Sequence, residues 1–144
     1  MSTQLQSQLE EDFISLAQGI HYQWLDSGRL IIYEIQSDRT EAVDALVNFA
    51  LKTLNEWDRT KPCKVLYHVP GPEVKFTPYL RRRLTELDDS NSDLSGRVAW
   101  VVQNQIFSHA MRLFIMVRAR KTQRDQKIFL THEEAFAWLR ECPE

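Results

Sequence analysis

Lys127-Ile-Phe-Leu-Thr-His-Glu-Glu-Ala-Phe-Ala-Trp-Leu139 decides the fold. Residues 127–130 form a short, β-favouring apolar run, and the next residue opens a helix. Thr131, with Glu134 three positions on, makes a capping box, in which the threonine hydroxyl and the glutamate satisfy amide donors of the first turn. Ala135, Trp138, Leu139 and Cys142 then fall on one stripe. A strand that runs straight into an amphipathic helix is the repeating unit of an α/β sheet.

The same unit recurs upstream. Residues 97–103 are almost wholly apolar, as a strand covered on both faces must be; a helix over 106–120 follows. Residues 64–69 read as another strand, stopped by Pro70-Gly71-Pro72. Thr77 with Pro78 at the first helical position then opens a helix through about residue 87, its apolar line Leu80, Leu84 and Leu87. Asp38 and Glu41 are spaced as a further capping box. The helix behind them carries Val43, Leu46, Val47, Ala50, Leu51, Leu54 and Trp57 on one stripe. Residues 21–25 and 29–35 flank Asp26-Ser27-Gly28 and read as a hairpin. Residues 1–18 are polar, with Leu5, Leu9, Phe13 and Leu16 near helical spacing, and are read as a separate helix or tail. The expectation is one α/β domain over residues 19–144, with a mixed sheet of about five strands, an N-terminal hairpin and four helices. Three of those helices start at Asp38, Thr77 and Thr131.

Bulk properties set the class. The chain has 144 residues, 43% hydrophobic and 26% charged, values of one globular domain with a real core. Its formal charge of −2 is unevenly spread. Acids dominate residues 1–58, whereas Arg97, Arg112, Arg118, Arg120, Lys121, Arg124 and Lys127 face only Asp125. Cys63 and Cys142 are far apart and form no CxxC pair, which fits reduced thiols. The N-terminus has no basic stretch leading into an apolar one, and no apolar run approaches membrane-spanning length. A cytoplasmic, non-spanning protein is expected.

No residue pattern demands a reaction. GxSxG, GxxxxGK[ST] and GxGxxG are missing from the sequence, and no pair among His21, His68, His109 and His132 has the spacing of a helical metal site. His132-Glu133-Glu134 reads as compensation of a helix N-terminus. Cys63 would need a base such as His68, yet five residues along a strand place them on opposite faces. Arg81-Arg82-Arg83 points three ways around a helix and has no interleaved aromatics, so nucleic acid is not expected as a partner. No catalytic residue, cofactor or metal is assigned.

The helix over 106–120 carries more apolar surface than one sheet can cover. Ile106, Phe107, Ala110, Met111, Leu113, Phe114, Ile115, Met116 and Val117 spread over most of its circumference. Ile106, His109, Leu113, Met116 and Arg120 are the candidate interface or ligand surface. Its cover is the N-terminal segment, a second subunit in a homodimer, an acyl or lipid ligand, or a bilayer surface, for which methionines and flanking Arg118, Arg120 and Lys121 are suited.

Gly96-Arg-Val-Ala-Trp-Val-Val102, Ala110-Met-Arg-Leu-Phe114 and Ile128-Phe-Leu-Thr-His-Glu-Glu-Ala-Phe-Ala-Trp-Leu139 together resemble the STAS-like family. This family has the fold of the bacterial anti-sigma-factor antagonists (SpoIIAA-like), and its uncharacterised bacterial branch is compared with CRAL-TRIO lipid-binding domains. The likeness covers about residues 20–140. It implies a four-turn β/α arrangement and a non-enzymatic regulatory or protein-binding role, with a hydrophobic-ligand carrier as the alternative. Better-known members switch by phosphorylation of a serine in an Asp-Ser-x-Gly stretch before a helix. The matching place here, residues 69–78, lacks that motif and offers Thr77 as its one hydroxyl, a candidate switch that also suits a helix cap.

Overall fold

The computed structural model describes residues 12–119 and 121–142. Among them the chain forms strands β1 (Ile14–Ala17), β2 (Ile20–Leu25), β3 (Leu30–Ile35), β4 (Cys63–Val69), β5 (Gly96–Val102) and β6 (Arg124–Phe129). The helices are α1 (Thr40–Asn55), α2 (Pro78–Asp89), α3 (Gln105–Arg118) and α4 (His132–Arg140). The six strands join one mixed sheet in chain order, with β1–β2–β3 antiparallel and β3–β4–β5–β6 parallel.

That order dictates the layers. From β3 to β6 each crossover steps one place in the same direction, so connections of a single hand must lie on a single face. Residues of α1, α2 and α3 accordingly share one core with Ile31, Tyr33, Val65, Tyr67, Val98 and Trp100 of the sheet. Helix α4 follows the edge strand and has no further strand to reach. It covers the opposite face, packing Ala135, Phe136 and Leu139 on Leu30, Ile32, Leu66, Ala99 and Val101. Tyr33, Tyr67 and Trp100 are in register on adjacent strands and stack at 5.3 and 4.4 Å between centroids. Each such aliphatic or aromatic side chain, fully buried, contributes roughly 1.5–3 kcal/mol.

The α/β class and the opening hairpin match the sequence expectation, with three local differences. First, the sheet has six strands rather than five, because Ile14–Ala17 is a strand and not part of a separate helix or tail. It pairs Ile14 with Tyr22 and Ser15 with His21, satisfying an edge of β2 that would otherwise expose unpaired backbone. Of the segment 1–18, residues 1–11 lie outside the described residues. Second, Asp38 does not cap α1, whose N-cap Arg39 makes no side-chain cap bond. The Asp38 carboxylate instead accepts the Lys75 amide at 2.8 Å, tying the loop before α2 to the loop before α1. Third, α3 starts at Gln105, where the Asn104 side chain accepts from the Ile106 and Phe107 amides at 3.0 and 3.3 Å. Thr77 and Thr131 do cap α2 and α4.

Candidate functional site

Helix α3 turns Phe107, Met111, Phe114 and Arg118 inward at helical spacing. Its outer side is left with Ile106 at 83%, Leu113 at 47%, Met116 at 64% and Val117 at 66% exposure. His109 and Arg112 are exposed on the same helix, which carries no acid at all. Arg120, the remaining candidate, lies outside the described residues. On a straight helix Ile106, Ala110, Leu113 and Val117 form a stripe, of which Ala110, Leu113 and Val117 face a channel shared with α2. Between the two helices runs a groove of about 460 Å³, lined by Phe76, Pro78, Ala110, Leu113, Phe114 and Val117, with Arg81 and Thr85 from α2.

Thr77 sits at the mouth of this groove. Its hydroxyl accepts from the Leu80 amide at 3.0 Å, so the one hydroxyl of residues 69–78 is engaged as an N-cap. Replacing it by alanine is expected to lower stability by about 1 kcal/mol, and by serine much less. Urea unfolding of the two variants tests this, and equal loss in both would show that the cap bond does not matter.

Three basic residues of the second half of the chain are engaged within the fold, whereas Arg112, Lys121 and Lys127 are exposed. Arg118 is buried, pairing with Asp88 at 2.9 Å and with Asp89. Arg124 is buried among main-chain carbonyls. Arg97 lies over the Trp138 ring and donates to the Trp138 carbonyl at 2.7 Å. These three are bound up in holding α2, α3 and α4 on the sheet.

On the opposite face the fold assembles what sequence spacing did not show. His21 pairs across from Glu34, and Glu34 lies beside His68 in the parallel register. His132 at the start of α4 packs edge-to-face on His68 at 4.3 Å. The buried Nδ1 atoms of His21 and His68 have no hydrogen-bond partner, and the Glu34 carboxylate stands 3.9 Å from the latter. Among the described residues no group of three or more His, Cys, Asp or Glu side chains is placed to hold a metal ion. Cys63 belongs to the other face, and burial pushes its thiol up to about 12, so it carries no nucleophilic thiolate near neutrality.

The histidine cluster has a consequence for stability. Burial, and then the neighbouring His132, hold His68 down to about 4, and burial also lowers His132. The unfolded chain protonates both near 6.5, whereas the folded chain does not, so stability falls as pH drops from 6.5 toward 4. We expect a loss on the order of 2 kcal/mol over that window. The difference should appear as a flatter pH profile in a His68→Gln, His132→Gln variant followed by urea unfolding. An unchanged slope would contradict it.

A second groove, of about 480 Å³, lies at the hairpin end of α1 between Trp24 and Trp57, whose rings are 5.7 Å apart. Its lining mixes Lys52 and Lys61 with Glu56 and Asp58 and so selects no single ligand class. Helix α4 is clamped near this end by Arg140, which forks onto Asp26 through two bonds of 2.9 Å and holds that carboxyl below its ordinary range. Among the described residues no helix is long and apolar enough to cross a membrane. No protein-family model, no curated protein and no solved structure matches this chain.

Proposed function

We propose that the chain is a non-catalytic, cytosolic regulatory or protein-interaction module of STAS-like type, and that it meets its partner through the outer side of α3. The observation that carries this reading is the line Ile106, Leu113, Met116 and Val117, left in water by a helix whose other side is fully used by the core. Large apolar side chains clustered on one exposed helix face mark interaction surfaces. The resemblance of residues 96–102, 110–114 and 128–139 to the STAS-like family supports the same class of role.

A hydrophobic-ligand carrier is the second reading, favoured by the groove between α2 and α3. Native mass spectrometry of protein purified from its own host separates the two. A bound acyl mass supports the carrier; an apo mass, with a photo-crosslinker at Met116 but not at exposed Asn48 of α1 joining a protein, supports the module. Because Leu113 and Met116 are exposed, a Leu113→Glu, Met116→Glu variant should keep its melting temperature within a few degrees, while losing that crosslink from a probe placed at Val117. Failure of the variant to fold would show these side chains to be core.

A further inference from the structure

We infer that the groove between α2 and α3 receives an amphipathic helix of about three turns from a partner protein, with acidic residues flanking its apolar stripe. This inference rests on the module reading above and names the partner's chemistry. The stripe from Ile106 to Val117 spans roughly 16 Å at 1.5 Å per residue, the length of three helical turns. An apolar helix wall beside a shallow channel is what a helix laid in a groove requires, with anchors at i, i+3 or i+4 and i+7.

Charge decides the sign of the flank. Helix α3 has no acid, and Asp89 beside the groove is already engaged by Arg118. Glu86 of α2 is taken by Arg83. Arg81 lines the groove, is exposed, and has no ion-pair partner among the described residues; Lys121, just beyond α3, is likewise exposed and unpaired. An anionic flank gains from both, and a cationic one is repelled.

Other occupants fit less well. Two copies meeting face to face would set each α3, bearing Arg112 and no acid, against itself. Residues 1–11 join the described chain beside β1, the sheet edge opposite β6, on which α3 packs. That is five strand spacings, roughly 24 Å, before the helix layer is crossed. Any segment preceding β1 must cross that span before it can lie in the groove. A flat bilayer surface would meet exposed Ile106, Met116 and Val117 but not Ala110, Phe114 and Phe76 in the floor of the channel, which an inserted helix reaches. An acyl chain in so open a channel keeps one side in water, unlike the near-complete enclosure of ligand pockets.

The test uses two fluorescent 18-residue helices with the same leucine stripe, one with glutamates and one with lysines on the remaining face, read by anisotropy on the full chain. We expect the glutamate probe to bind about tenfold or more tighter than the lysine probe, with affinity falling as salt rises. Arg81→Glu should erase that preference, and Leu113→Glu with Val117→Glu should abolish binding at unchanged melting temperature. Equal binding of the two probes, or none, overturns the inference. So does preferential binding to phosphatidylglycerol vesicles, or a dimer by light scattering that the Leu113→Glu change dissolves. The module reading fails separately, by an acyl-loaded native mass or a silent crosslinker at Met116. A crosslinked partner whose contacting helix is basic would sink the acidic flank and leave the module standing.

Discussion

Gly96→Ala should destabilise the protein by on the order of 3–5 kcal/mol, more than any other single methyl group added to it. Gly96 opens β5 at φ +152, a region that side chains rarely enter, directly opposite Cys63 at the start of β4. A Cβ built there would lie 2.1 Å from the Cys63 carbonyl oxygen and 2.6 Å from its nitrogen. Both are backbone atoms, so no rotamer change relieves the clash, and separating them breaks the pairing of the two central parallel strands. Because a domain of this size has only about 5–15 kcal/mol in total, much of it would be lost. Urea unfolding gives the measurement, and a Cys63→Ala background gives the control. If the loss came from the thiol, 2.7 Å away, that background would rescue it; we expect no rescue. A loss under 1 kcal/mol would mean the strands separate cheaply there.

The alternation of strand and helix was legible because it is written in local patterns. Thr77 and Thr131 cap where their spacing says, since a cap needs only its own first turn. Asp38 misled for the same reason in reverse. Its carboxylate had an equally good local partner, but the Lys75 amide, reached only through the tertiary fold, took it. Strand β1 hid because Phe13 and Leu16 fit a helical spacing, and only the open edge of β2 decides between helix and strand. Ile106, Leu113 and Met116 were legible as surplus because nine apolar residues on one helix exceed what a sheet can cover, and the structure leaves those three exposed.

The histidines show where local reasoning stops. Once Leu25 pairs with Leu30, His21 must face Glu34, so that much follows from a tight hairpin. That His68 joins them needs the parallel register of β3 with β4, and that His132 closes the group needs α4 on the second face. Neither register nor face is encoded within a few residues. Charge runs mislead more strongly. Arg118 and Arg124 belong to a basic stretch that looks like solvated surface or an anion patch, because sequence composition has no view of burial.

Arg124 is therefore the residue where composition and structure disagree most, and Arg124→Met should cost about 3–5 kcal/mol. Its guanidinium, 4% exposed, donates to five main-chain carbonyls: Leu87 at 3.3 Å, Asp88 at 3.1 Å, Ser90 at 2.9 Å, Asn91 at 2.8 Å and Leu94 at 3.1 Å. The first two are carbonyls at the C-terminal end of α2, where that of Leu87 also accepts from the Ser90 amide and hydroxyl, and a cation there meets the negative end of the helix dipole. Methionine of similar length fills the volume but takes the guanidinium donors from the Asp88, Ser90 and Leu94 carbonyls, at about 1–3 kcal/mol for each one left buried, whereas Leu87 and Asn91 keep the Ser90 and Leu94 amides. Lysine restores the charge but not the fork, and should recover only part of the loss. Hydrogen exchange separates this from a general weakening. Amides of residues 87–94 should lose protection first, together with the Arg118–Asp88 and Gln126–Asp88 contacts that share the same carboxylate, at 2.9 and 3.0 Å. Uniform loss across the sheet would argue instead that Arg124 acts only through β6. Because Arg118 and Asp88 also fix the far end of α3 against α2, loosening this hub should widen the groove between them, and the affinity of the glutamate probe should drop without any change to a residue that lines it.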